Sequence, residues 1–308
     1  MRTRTILGLA TAMLLALGTG TAMTAAQADD TDSAQGTTYR PIASGVSPSW
    51  FTADFQRRLL ASGTDGVRLP KGATLPGGIV EDQAVGLATT GIRPGQWLLT
   101  LLGSDGSGDT LGWCSANFVF KKSSTWGLGT AGHCGPVGKP VSAYVVPPPS
   151  SGKLPGLYVI GNISASRDHG IGDDFAMITI KPEFASWMNP TMPVWGGPSG
   201  AFTGGDVGTP VKHFGHGAVI GTGGTPRVGA ALRWDIAGGD GFSWAGAAAP
   251  GDSGSGVLAG LGTAAAGDLT HIAVDVNGNV IGIAGTRMSR MLEIAKGWSL
   301  APGSLLPV

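Results

Sequence analysis

The stretch Leu111-Gly112-Trp113-Cys114-Ser115-Ala116-Asn117-Phe118-Val119-Phe120, followed by Thr125-Trp126-Gly127-Leu128-Gly129-Thr130-Ala131-Gly132-His133-Cys134, decides how this chain is read. Two short apolar and aromatic runs flank a charged and polar break, the pattern of consecutive antiparallel strands. Gln96–Leu102 supplies a run of the same kind just upstream. The second run ends on a histidine next to a cysteine. A tie from that cysteine back to Cys114 would hold the loop carrying the imidazole, as a general base requires; the alternative is a surface histidine beside a structural disulfide.

Outward from there, the composition agrees with strands. Glycine is 54 of 308 residues, and glycine, alanine, serine and threonine separate short apolar runs with few helix-period stretches, which predicts an all-β, turn-rich architecture. Formal net charge is zero and 13% of residues are charged, which excludes a nucleic-acid footprint and an anionic membrane surface as partners. The amino terminus reads Met1-Arg2-Thr3-Arg4, an apolar run Ile6–Gly18, then Ala26-Gln27-Ala28. That is the pattern of a secretory leader over residues 1–28, the alternative being a membrane anchor, for which the run is short. Export makes one disulfide the better reading for the two cysteines, since a metal site would want three or four ligands at motif spacing. Residues 29–87 are polar and broken by Gly, Pro, Ser and Asp, with one candidate helix over Trp50–Leu60. They read as a propeptide or amino-terminal extension; the alternative is an ordinary strand-bearing part of the domain.

Further stretches carry chemistry. Pro250-Gly251-Asp252-Ser253-Gly254-Ser255-Gly256 sets one serine in a glycine-framed turn. A serine hydroxyl is a weak nucleophile at neutral pH, so it needs a base for its proton and backbone N–H groups aimed at the charge that develops on an attacked carbonyl. Gly172–Ile180 is a buried-type strand entered through Asp173 and Asp174. His213 and His216 have the spacing of a metal pair, but no third ligand lies at motif spacing, and the reading is no metal.

A strand-borne cysteine, a hairpin and a return strand ending Thr130-Ala131-Gly132-His133-Cys134 resemble the chymotrypsin-like serine proteases, as do Asp174-Phe175-Ala176-Met177 and Gly251-Asp252-Ser253-Gly254. The chain order His, Asp, Ser differs from that of α/β-hydrolases, and no Gly-x-Ser-x-Gly surrounds Ser253. The resemblance covers Gly91–Trp298 and departs at Ser255, where the family carries glycine.

The resemblance implies an all-β domain over residues 88–308: two packed antiparallel six-stranded β-barrels, residues 91–185 and 205–298, with a linker over Lys181–Gly205 and a carboxy-terminal helix within Met288–Trp298. It implies a secreted, monomeric serine endopeptidase acting on protein or peptide substrates without metal or organic cofactor. His133 would be the base, Asp174 its holder with Asp173 as fallback, and Ser253 the nucleophile. The N–H groups of Gly251 and Ser253 would bind the oxyanion, and Cys114 and Cys134 would form the disulfide. The implied specificity pocket involves Ala247, Thr270 and His271. Ala247 stands where a negative pocket base would sit, which disfavours Arg or Lys side chains, and His271 suggests an acidic one. In a zymogen reading, Asp252 would await a new amino terminus at Ile79; otherwise an internal arginine satisfies it. The alternative functions are an esterase with the same triad and a non-catalytic binding protein of the same fold.

Overall fold

A computed structural model describes residues 30–32, 36–73, 90–103, 108–218 and 224–304; the expected leader and Ile79 lie outside them. The strands are β1 (Asp30–Asp32), β2 (Thr37–Pro41), β3 (Trp97–Leu101), β4 (Thr110–Ser115), β5 (Val119–Lys122), β6 (Thr125–Thr130), β7 (Pro140–Val145), β8 (Gly156–Asp168) and β9 (Asp174–Ile180). They continue as β10 (Pro210–Gly215), β11 (Thr225–Ile236), β12 (Gly241–Ala245), β13 (Gly256–Ala259), β14 (Ala264–Asp268), β15 (His271–Val274), β16 (Val280–Thr286) and β17 (Ser299–Leu300). Two α-helices are present among the described residues, α1 (Ala53–Ala61) and α2 (Met288–Ile294).

The strands form two antiparallel sheets. One runs β17-β5-β6-β9-β8-β7-β3-β4 and the other β1-β2-β15-β16-β12-β11-β10-β13-β14. Both close on themselves through a bent strand. Between β4 and β5 only Ala116–Phe118 intervene, with the Ala116 N–H donating to Gln96 O on the β3 side and the Asn117 N–H to Gly129 O on the β6 side. In the second sheet only Leu269 and Thr270 separate β14 from β15; they donate to Ser255 O and Ala284 O respectively. Counted with each bent strand as one, the sheets are the two six-stranded barrels expected. The full sheets are longer, eight and nine strands, because β17 is added to the edge of one and β1-β2 to the edge of the other.

The first barrel is filled by Leu98, Val119, Leu128, Ile160, Ile178 and their neighbours, the second by Val211, Phe242, Trp244, Val257 and Ile283. A third apolar cluster joins the halves, with Phe118, Phe120, Phe175 and Met177 of the first against Leu258, Ala265, Met288 and Met291 of the second. Each large side chain so buried contributes about 1.5–3 kcal/mol, so this seam fixes how the two barrels face one another. Helix α2 docks in it through Met288 and Met291, and is shorter than the sequence pattern allowed.

Residues 36–73 pack against both halves. Thr52 caps α1 by accepting from the Phe55 N–H, and Phe55 and Leu59 are buried with Trp97, Leu99 and Leu157 of the first barrel. Strand β2 adds to the edge of the second barrel, pairing antiparallel with β15. The linker also packs: Ser199 and Phe202 donate to Thr263 O and Ala265 O beside β14.

Candidate active site

His133 sits in a single 3-10 turn, Gly132–Cys134, at the end of β6. Cys134 is disulfide-bonded to Cys114 on β4, which ties that turn to the neighbouring strand. Gly132 is required by close approach, because a Cβ there would lie 1.6 Å from Arg167 O. Asp174 opens β9 directly below. Its Oδ1 accepts from the N–H groups of Gly132 and His133 at 2.6 and 3.1 Å, and its Oδ2 lies 2.7 Å from His133 Nδ1. One carboxylate therefore fixes the backbone of the turn and the ring it carries. With Nδ1–H directed at Asp174, Nε2 is the basic nitrogen. Asp173 points elsewhere, its carboxylate held by Arg167 and Arg290.

Burial opposes charge on His133, but the Asp174 carboxylate more than offsets this and holds the imidazole above its ordinary pKa. Burial likewise opposes ionisation of Asp174, and the charge and hydrogen bond of His133 hold its pKa below the ordinary value. The backbone of Asp174 is held from the second barrel: Thr286 Oγ1 donates to Asp174 O at 3.0 Å.

Ser253 comes from the turn between β12 and β13. The positions needing positive φ fall on Gly251 (+96°) and Gly254 (+87°), while Ser255 is outside that region, so the departure from the family's glycine leaves the turn unstrained. Gly251 is also crowded by Trp113, whose Nε1 would lie 2.0 Å from an added Cβ. The first barrel grips the turn: the Ser115 N–H donates to Ser253 O at 2.8 Å and Ser115 Oγ to Gly251 O at 2.9 Å. Asp252 is satisfied internally. Arg227 of β11 donates to its Oδ2, and the N–H groups of Ala249 and Gly217 donate to its two oxygens at 2.9 Å.

Ser253 O lies 4.0 Å from Sγ of Cys134, the residue after His133, but the serine hydroxyl is not free. Its Oγ donates to Ile42 O at 2.9 Å, and it is wholly buried. His133 Nε2 is buried, and the Ile42 backbone faces the ring. The Gly251 N–H donates to Ala43 O at 3.2 Å.

The pocket residues fall out differently. Ala247 is exposed, whereas Ala248 packs against the apolar cluster of the second barrel. Thr270 O accepts from the Ile42 N–H at 2.9 Å. His271 is buried with Nδ1 2.7 Å from Thr270 Oγ1 and 3.9 Å from Asp174 Oδ2, so it lies on the aspartate side of the site, and the acidic-side-chain reading loses its carrier. His213 is buried with its ring 6.1 Å from Trp244, and His216 Nδ1 meets Gly95 O. Burial lowers their pKa values to about 3 and about 4.

No family model matches the sequence, and no curated protein matches it. Solved structures similar to it are chymotrypsin-like serine proteases. Protease A of Thermobifida fusca is 20% identical with a TM-score of 0.47, covering 69% of this chain and 99% of its own. A glutamic-acid-specific serine protease that uses a histidine triad in substrate binding is 19% identical with a TM-score of 0.47, covering 68% and 100%. The chymotrypsin of Cellulomonas bogoriensis is 19% identical with a TM-score of 0.43, covering 68% and 99%.

Proposed function

We propose that this chain is an exported serine endopeptidase in which Ser253, His133 and Asp174 act as a triad. The observation that carries the reading is the peptide carbonyl of Ile42 held 2.9 Å from Ser253 Oγ, beside an imidazole already paired to a buried aspartate. With that carbonyl out of the way, Ser253 Oγ is released to pass its proton to His133 Nε2 as it attacks a substrate carbonyl. Asp174 holds the Nδ1 tautomer and stabilises the imidazolium that forms. The N–H groups of Gly251 and Ser253 are the donors for the oxyanion; Gly251 already donates to a peptide carbonyl. The imidazolium then protonates the leaving amine, and water repeats the sequence on the acyl-enzyme. Residues 1–28 are the leader that exports it, and the substrate is a protein or peptide. The Arg227 contact to Asp252 makes activation by a new terminus at Ile79 unnecessary.

Hydrolysis of peptide amides set against simple esters tests the reading, using the full chain and the variant Ile42→Asp. Turnover of peptide amides that disappears in Ser253→Ala and His133→Ala is the expected result. Turnover of esters alone makes the protein an esterase with the same triad. No turnover of either in both forms makes it a binding protein.

A further inference from the structure

The segment Thr37–Gly45 crosses the whole site as an extended chain. Its first part is the ladder between β2 and β15, with Thr38 opposite Val274, Tyr39 opposite Ala273, Arg40 opposite Ile272 and Pro41 opposite His271. The ladder continues through the Ile42 N–H to Thr270 O. Ser253 Oγ then reaches Ile42 O, the Gly251 N–H reaches Ala43 O, and Gly45 pairs with Trp113 on the first barrel through bonds of 3.0 and 2.9 Å. These bonds use backbone atoms on the crossing chain, so any extended peptide can make them. Selection falls to side chains, and foremost to the residue whose carbonyl meets the nucleophile. That residue is Ile42, 5% exposed, joined to the apolar cluster of Phe242, Trp244, Val257, Leu269 and Ile283.

We propose that Thr37–Gly45 occupies the substrate cleft of this enzyme as a peptide substrate does, and that the cleft takes chains with one aliphatic residue of isoleucine's size on the acyl side of the cut bond. This rests on the hydrolase reading above. The segment itself is held short of reaction. The Gly251 N–H meets the carbonyl of Ala43, one residue past the carbonyl that Ser253 touches, so the attacked oxygen is not the one the hole donor stabilises. The strand is therefore a cover, and Ser253 is buried because of it. A substrate binds by displacing it.

The test uses the full chain and the variants Ile42→Ala and Ile42→Asp. Substrates are fluorogenic peptides identical except for Ile, Val, Leu, Phe, Glu or Lys on the acyl side of the cut bond. A charge at position 42 expels the strand, so Ile42→Asp should cleave about tenfold faster than the wild-type chain, with Ile42→Ala between them. Ile, Val and Leu peptides should exceed Glu and Lys peptides by about tenfold or more in kcat/KM. Ile42→Ala, which only empties the pocket, keeps the test alive if the charged variant fails to fold. Equal rates in all three chains overturn the cover. A preference for Glu, Lys or Phe overturns the pocket while leaving the hydrolase standing. Failure of every chain both to cleave and to take a fluorophosphonate on Ser253 removes the hydrolase reading itself.

Discussion

The two barrels close in the same way, β4 running into β5 and β14 into β15, yet they bury their ionisable groups on different terms. The first barrel commits His133 and Asp174 to each other in one bidentate arrangement, and a disulfide holds the turn that carries them. The second buries Arg227 with Asp252 below the serine and leaves His213 and Asp268 in the interior with no ion-pair partner of opposite charge among the described residues. The paired and fixed charges thus lie on the first barrel, and Ser253 lies on the second, where β2 runs along the edge of β15.

Breaking the first arrangement should have the largest effect. Asp174→Asn leaves the fold of the turn but favours the wrong tautomer of His133, so kcat should fall about 10⁴-fold with KM little changed. Arg227→Ala strikes the second barrel. It leaves Asp252 buried without its partner, and urea unfolding should report a loss of about 3–5 kcal/mol.

These two sites were not equally legible in the sequence. The residues around His133, Asp174 and Ser253 stand out because the chemistry needs glycines and small residues at fixed offsets from them. Arg227 has no such setting; it reaches Asp252 across the second barrel from 25 positions away, and only its type was anticipated. Strand β2 was harder still. Thr37–Pro41 reads as part of a polar extension, since what makes it a strand is the free edge of β15, which lies far along the chain. His271 was misplaced for a related reason: which face of β15 a side chain takes depends on the register of the bent strand before it, and one step moves it from pocket to aspartate. The six-stranded barrels were legible as a class, whereas the added edge strands were not.

Smaller effects sharpen the contrast. Cys114→Ala with Cys134→Ala removes a tie across a separation of 20 residues and should lower stability by about 3 kcal/mol while loosening the His133 turn, readable as parallel losses in Tm and kcat. The smallest concerns Asp268, whose carboxyl burial pushes well above the ordinary range. A carboxyl raised in the folded state contributes its stability below the unfolded pKa of about 3.9 and loses it as pH rises through the folded value. His213 and His216 run the other way: their contribution is present above about 6.5 and is lost as pH falls toward about 3 and about 4 respectively. Asp268→Asn should therefore raise Tm at neutral pH by about 2–4 °C and leave the acid limb, set by the histidines, unchanged in a thermal scan series.

The proposed arrangement makes Ser253 a nucleophile served by His133 and Asp174 and covered by the chain's own strand. Its most direct measurement is the rate of fluorophosphonate labelling as a function of pH in the wild-type chain and Ile42→Asp, with the adduct mapped by peptide mass. Labelling should give an adduct on Ser253, faster in Ile42→Asp, absent in His133→Ala, and rising through a pH above the ordinary histidine value because Asp174 holds the imidazole charged longer. An adduct on another residue, or labelling of Ser253 that is indifferent to His133, would contradict it.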